Sequence, residues 1–229
     1  KPAEAKAAEP IPNLTDLADR YGSDKGSTKH RYSELYQMLF LPYREREIAF
    51  LEMGLQIGGP EHGKGADRAT TDLPSVRMWL EYFPKAHVHG LDISDFSWFS
   101  DPRFSFHRVD MDDRALIAGA AKDMPDFDII IDDASHASHH QQNAFLELFP
   151  KLKAGGLYII EDLRWQPEAY EKKGITKTAD LFRGFAEQRS FAHRDKALQA
   201  AFGALAPGIS GCFVFQVKYD KKRKDQVAV

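Results

Sequence analysis

Cysteine is almost absent from this chain: Cys212 is the single one in 229 residues. One thiol cannot build an intrachain disulfide framework, so a reducing compartment, the cytoplasm, is the expected setting. Nor is there an uninterrupted apolar run of the roughly 18 residues that a membrane-spanning helix requires. The opening stretch, KPAEAKAAEP, lacks the apolar core of a secretory signal. Residues 1–12 are expected to be a disordered lead-in. Charge of one sign is not in excess, with Lys+Arg at 31 against 34 for Asp+Glu, a net charge of −3. That balance supplies no basic face for nucleic acid or an acidic membrane. The basic run KKRK at 221–224 reads as part of a solvated polar tail, 220–229. No internal repeat is visible.

What the chain does have is alternation. From Arg46 onward, short apolar runs alternate with longer amphipathic stretches, the pattern of a parallel sheet with crossover helices. The runs are Ile48–Met53, Val88–Leu91, Phe104–Val109, Phe127–Ile131 and Leu157–Ile160, with a last strand expected at Cys212–Val217. Several lead into acid: Glu52, Asp92, Asp132 with Asp133, and Glu161 with Asp162. Acids at the carboxyl ends of parallel strands line the crevice in which open α/β sheets bind ligands. Val76, Trp79, Leu80 and Phe83 recur at helical spacing up to Pro84. Phe145, Leu148, Phe149 and Leu152 do the same in a helix expected to start at Ser138 and end at the Gly155-Gly156 turn. The stretch Ala179–Leu205 reads as one long helix. Leu14–Tyr21 and Tyr32–Phe40 read as short helices around the loop GSDKGSTKH.

The turn after the first strand reads LEMGLQIGG. Dinucleotide dehydrogenases need G-x-G-x-x-G opening directly into a helix whose N-terminus meets a pyrophosphate. Here Glu52 and Gly54 lead into a long loop, which suits a ligand without phosphates, its amino-acid portion lying over Gly54. Asp92, ending the second strand, is placed to accept both hydroxyls of a ribose. Together these point to S-adenosylmethionine. In the stretches FDIIIDDASHASHHQ and LYIIEDL, Asp133, Glu161 and Asp162 are expected side by side at one sheet edge. Three carboxylates there call for a cation, and oxygen ligation favours Mg²⁺ first, then Mn²⁺ or Ca²⁺. His136, one turn past Asp133, is a candidate general base. His139 and His140 are expected to face solvent or cap the helix.

On these motifs the sequence resembles class I S-adenosylmethionine-dependent methyltransferases, and more narrowly the Mg-dependent sugar O-methyltransferases of the mycinamicin and macrocin type. The resemblance runs from about Leu14 to Leu163, through YGSDKGSTKHRYSELY, LEMGLQIGG, VRMWLEYFP, HGLDIS, IIDDASH and IIEDL. It implies a Rossmann-like α/β sheet, mostly parallel with an antiparallel last strand, helices on both faces and an N-terminal helical lid. The lid would occupy 13–45 and the cofactor-binding domain 46–219. It further implies that Asp133, Glu161 and Asp162 hold Mg²⁺ and that His136, or the metal-bound Asp133, takes the proton from a sugar hydroxyl. Glu52, Gly54 and Asp92 would hold the cofactor with Asp110 or Asp112 near the adenine. Lys25, His30 and Tyr32 would lie in the lid. The implied partner is a sugar-containing small molecule or oligosaccharide, bound by the lid and Arg164–Ser190, and a homo-oligomer is compatible with the sequence. Ala134, Met111 and the charged loop Lys64–Leu73 depart from the family pattern. Two rival readings are an iron-dependent oxygenase on the same scaffold, similar to cephalosporin hydroxylases, and a non-catalytic cofactor-binding domain.

Overall fold

Short aromatic-rich helices and acid-terminated apolar strands sort into two compact units in the computed structural model, which describes residues 12–219 and 222–229. The expected lead-in thus lies almost wholly outside the described residues. The first unit combines the chain up to Arg46 with Pro74–Lys85. Its helices are α1 (Leu14–Tyr21), α2 (Tyr32–Phe40) and α3 (Pro74–Tyr82). Asn13 caps α1 by accepting from the Thr15 amide at 2.8 Å, and Gly22, at φ 73°, ends it in the left-handed region. Buried Tyr36, Phe40, Trp79 and Phe83 form the core, with Tyr36–Phe40 centroids 5.0 Å apart and Phe40–Trp79 crossing edge-on at 5.8 Å. Each such pair adds about 0.5–1.5 kcal/mol beyond burial. Of the residues assigned to the lid, Lys25 and Tyr32 are buried and His30 stacks on Tyr32 at 5.2 Å.

The second unit comprises Glu47–Leu73 and Ala86–Val229. Its strands are β1 (Ala49–Met53), β2 (His87–Asp92), β3 (Phe104–Arg108), β4 (Phe127–Asp132), β5 (Leu152–Ile160), β6 (Val214–Tyr219) and β7 (Lys222–Ala228). They form one seven-stranded sheet in the order β3-β2-β1-β4-β5-β7-β6. The first five strands pair in parallel, whereas β7 runs antiparallel to both β5 and β6. Around the sheet lie α4 (Arg114–Asp123), α5 (Ser138–Leu148), α6 (Thr178–Gln188) and α7 (Lys196–Leu205). Phe145 is the hub of the core here, packed at about 5 Å on Phe149, Tyr158 and Phe182. No helix among the described residues is long and apolar enough to cross a membrane.

Three expectations need correction. The Ala179–Leu205 stretch is two helices: Arg189, at φ 56°, ends α6, and Asp195 caps α7 by accepting from Ala197 and Leu198 amides at 2.8 and 3.1 Å. The Gly155-Gly156 pair lies inside β5, not at a helix end; the β4–β5 register shifts there, and a side chain at Gly156 would press on the Asp128 carbonyl at 2.8 Å. The start of α5 at Ser138 is as expected. The polar stretch taken for a tail is mostly β7. Its pairing rests on a backbone ladder with β6, and only Val227 and Ala228 carry an apolar signal into the core.

β2 and β3 carry three histidines on one face. His89 Nδ1 and His107 Nε2 are 3.1 Å apart in stacked rings, and His87 Nε2 meets Ser105 Oγ at 2.8 Å. Burial, with the neighbouring imidazoles, pushes His89 down to about 4, and burial lowers His107 too. A histidine whose folded pKa is depressed contributes stability above its unfolded value of about 6.5 that is lost as pH falls toward the folded value. Between pH 6.5 and 4 the unfolded chain therefore takes up an extra proton at His89, a slope of at most about 1.4 kcal/mol per pH unit. Denaturant titrations from pH 7 to 4.5 should show a shallower loss in His89→Phe than in wild type. Parallel losses would exclude this residue as the source.

Candidate active site

The sheet topology brings the ends of β4 and β5 together, with Asp132 beside Ile160 in the register. The Asp133 amide donates to the Met53 carbonyl and the Glu161 amide to the Asp132 carbonyl, both at 2.9 Å. Asp132 and Glu161 are buried, 0% and 1% exposed, whereas Asp133 and Asp162 are half-buried. Burial pushes the Asp132 carboxyl up to about 7. His136 and Asp162 both adopt the left-handed region, at φ 61° and 51°, a strained conformation for residues with side chains. The chain reverses at each and turns its side chain toward the same spot.

Asp133, His136 and Asp162 thus each offer an atom to one group, all within 4.8 Å of one another. His136 Nε2 stands 3.8 Å from Asp162 Oδ2, while its Nδ1 is buried with no hydrogen-bond partner among the described residues. His136, expected as the base, belongs to this group, and Glu161, the third expected ligand, is the buried residue just before Asp162.

The residues expected around a cofactor lie on β1, β2 and the loop after β3. Glu52 is fully buried in β1. Gly54, at φ 81°, donates its amide to Leu91 at 2.8 Å, and a Cβ there would overlap the Asp133 carbonyl oxygen and Ala134 Cα. Its lack of a side chain therefore permits the close approach of the β4 end. Asp92 is buried, and its carboxylate accepts from the Leu55 and Ser94 amides, both at 2.8 Å. It also accepts from Arg68 Nη1 at 2.7 Å, and the same nitrogen reaches Ser94 Oγ at 2.6 Å. Arg68 comes from the charged loop after β1, gives no signal in the sequence, and has a side chain only 10% exposed.

Asp110 accepts from the Asp112 amide at 2.9 Å, holding the turn before α4. The Asp112 carboxylate meets His139 Nε2 and Lys172 Nζ, each at 2.9 Å, and His140 Nδ1 meets Ser135 Oγ at 2.6 Å. Both histidines are buried, contrary to the expectation of solvent exposure, because the first turn of α5 faces this loop. Burial pushes His140 down to about 4 and lowers His139.

No protein-family model matches the chain. Over 157 residues it is 40% identical to the 8-demethyl-8-alpha-L-rhamnosyl tetracenomycin-C 2'-O-methyltransferase of Streptomyces olivaceus, covering 67% of this chain and 38% of that protein. Over 155 residues it is 36% identical to the mycinamicin VI 2''-O-methyltransferase of Micromonospora griseorubida, covering 66% and 36%. The chain is a homologue of sugar O-methyltransferases. It spans less than half the length of these curated relatives. Among solved structures, it matches MycE methyltransferase from the mycinamycin biosynthetic pathway, in complex with Mg and SAH. The TM-score is 0.71 at 28% identity, over 96% of this chain and 54% of that one. A second crystal form gives a TM-score of 0.73. The fold is that of the class I methyltransferases, as the strand order and the antiparallel β7 require.

Proposed function

We propose that this chain carries the reaction centre of an S-adenosylmethionine-dependent, divalent-metal-dependent O-methyltransferase acting on a sugar hydroxyl of a natural-product glycoside. The observation that carries the reading is the Asp133–His136–Asp162 group at the carboxyl edge of the sheet. The end of β1 ties that group to the candidate cofactor turn: Met53 receives the Asp133 amide and Gly54 donates to Leu91, next to Asp92.

The donor chemistry fits a hard divalent ion. Two carboxylates and an imidazole converge, and carboxylates so close repel unless a cation joins them. Asp133 and Asp162 would hold the ion, with Glu161, next along the same strand end, as a further oxygen donor. Asp92 and Glu52 would hold the ribose and the amino-acid end of the cofactor, with Asp110 and Asp112 on the adenine side. Bound there, S-adenosylmethionine supplies the methyl group and the cation lowers the pKa of the attacking hydroxyl. His136 accepts the hydroxyl proton at Nε2, the nitrogen that faces Asp162, and the carboxylate stabilises the resulting imidazolium. Both strained backbone turns fix these side chains before substrate arrives.

The test is methyl transfer from labelled S-adenosylmethionine to a rhamnosylated or macrolide glycoside, with and without chelator. Full activity in excess chelator would remove the metal. For the ligands, Mn²⁺ affinity followed by electron paramagnetic resonance should fall at least about 10-fold in Asp133→Asn and in Asp162→Asn, since each replaces an anionic ligand oxygen by a neutral amide. Unchanged affinity in both variants would place the ion elsewhere. Glu161→Gln reports whether the buried carboxylate joins them.

A further inference from the structure

Large apolar side chains scattered singly on a surface need no explanation. Trp165 is different because of its neighbours. Its indole is 38% exposed, yet it stands edge-to-face with His136 at 5.4 Å between centroids and stacks on His62 at 5.6 Å, with 25° between the planes. Its amide donates to the Asp162 carbonyl at 3.0 Å, so the indole rides on the same turn as an acid of the reaction centre. Buried Leu163 and a 2.8 Å bond from Gln166 Nε2 to the Leu163 carbonyl hold that turn in place. His62 is held from the other side by a short helical turn, in which its own amide donates to the Gly59 carbonyl at 2.9 Å. Two aromatic side chains from distant parts of the chain therefore meet beside the candidate base.

We infer that Trp165, buttressed by His62, is a carbohydrate-stacking subsite that seats the pyranose ring of the acceptor against His136. The identity of the ligand rests on the sugar O-methyltransferase reading. A pyranose has one face rich in C–H bonds, made slightly positive by the neighbouring oxygens, and an aromatic face is negative. Its equatorial hydroxyls project in the ring plane. A ring lying on the indole thus sends a hydroxyl sideways toward the imidazole, which stands at 69° to the indole. One contact then does two jobs: it supplies affinity without hydrogen bonds, and it aims the hydroxyl at the base.

The test separates the subsite from the reaction. In the full chain with Mg²⁺ and S-adenosylhomocysteine, methyl α-L-rhamnopyranoside is titrated while the indole N–H resonances are followed, Trp165 being assigned by its loss in Trp165→Phe. The Trp165 resonance should shift saturably, and the open-chain polyol sorbitol should leave it in place. Trp165→Ala should raise the KM for a glycoside acceptor by about 10-fold, the size of one aromatic stack, and lower kcat because the hydroxyl is no longer aimed, with S-adenosylhomocysteine affinity within about 3-fold. Trp165→Phe keeps a ring and should stay within about 3-fold in KM, which guards against a folding defect in the alanine variant. A saturable shift without methyl transfer to any glycoside would uphold the subsite and overturn the reaction assigned to it. Methyl transfer to glycosides with KM unchanged in Trp165→Ala, or a shift with sorbitol equal to that with the pyranoside, would overturn the subsite and leave the reaction standing.

Discussion

Asp92→Ala is expected to weaken S-adenosylhomocysteine binding by about 3 kcal/mol, more than 100-fold, because two charge-assisted hydrogen bonds to the ribose are lost. Arg68→Ala is expected to act in the opposite direction. Without ligand, the Arg68 guanidinium already donates to Asp92 at 2.7 Å, and both side chains are largely withdrawn from water. A ribose that takes the same carboxylate must first displace this partner. An ion pair with little solvent contact is costly to break from one side, because the remaining charge is left uncompensated. Removing Arg68 puts that cost into the unliganded state, so cofactor affinity should rise, by about 10-fold if one charged hydrogen bond of about 1.5 kcal/mol is no longer exchanged. The double variant should resemble Asp92→Ala. Asp92 also receives the Leu55 and Ser94 amides, so the alanine variant disturbs the loop as well. Asp92→Asn, which retains an acceptor oxygen, separates the two effects if its melting temperature stays near wild type. Calorimetry finding weaker binding in Arg68→Ala would show that the arginine contacts the cofactor rather than competing with it. Unchanged binding in Asp92→Ala would mean that the ribose lies elsewhere.

Whether such features can be read from a sequence depends on the range over which they are encoded. Apolar runs ending in Glu52, Asp92, Asp133 and Asp162 are local signals, and they locate the carboxyl edge because β-structure and strand ends leave marks within a few residues. β7 left almost none: five polar residues precede Val227 and Ala228, and the strand exists because β6 and β5 offer backbone partners. The acids in Asp132-Asp133 and Glu161-Asp162 look equivalent as letters. Burial tells them apart: Asp132 and Glu161 are buried, whereas Asp133 and Asp162 are half-buried beside His136. His139 and His140 sit one turn after His136, and their burial depends on the Asp112 loop packing beside α5, a tertiary fact. Arg68 and Trp165 are the hardest kind. Each lies in an irregular stretch, and each gains its meaning from a partner reached only in the folded state, Asp92 for one and His136 with His62 for the other.

His136→Ala should slow methyl transfer by about 10²–10⁴-fold at saturating Mg²⁺ and cofactor, the range for removal of a general base. Two roles compete for this residue, and the geometry sharpens the choice. As a base it accepts the hydroxyl proton while Asp162, 3.8 Å from Nε2, compensates the imidazolium charge. As a ligand it would complete the group with Asp133 and Asp162, whose atoms lie within 4.8 Å of one another and of the imidazole. The base role predicts a rate loss with metal affinity nearly unchanged. The ligand role predicts weaker Mn²⁺ binding and partial rescue by excess metal. If the metal-bound Asp133 takes the proton instead, the loss falls below about 10-fold, under the range of a general base. A carboxylate already bound to a cation is a poor proton acceptor, whereas imidazole is the commonest general base. The strained φ of 61° at His136 points the same way, because backbone strain is retained where it pre-organises a side chain for the reaction. Turnover within a factor of about three of wild type at neutral pH would exclude His136 as the base.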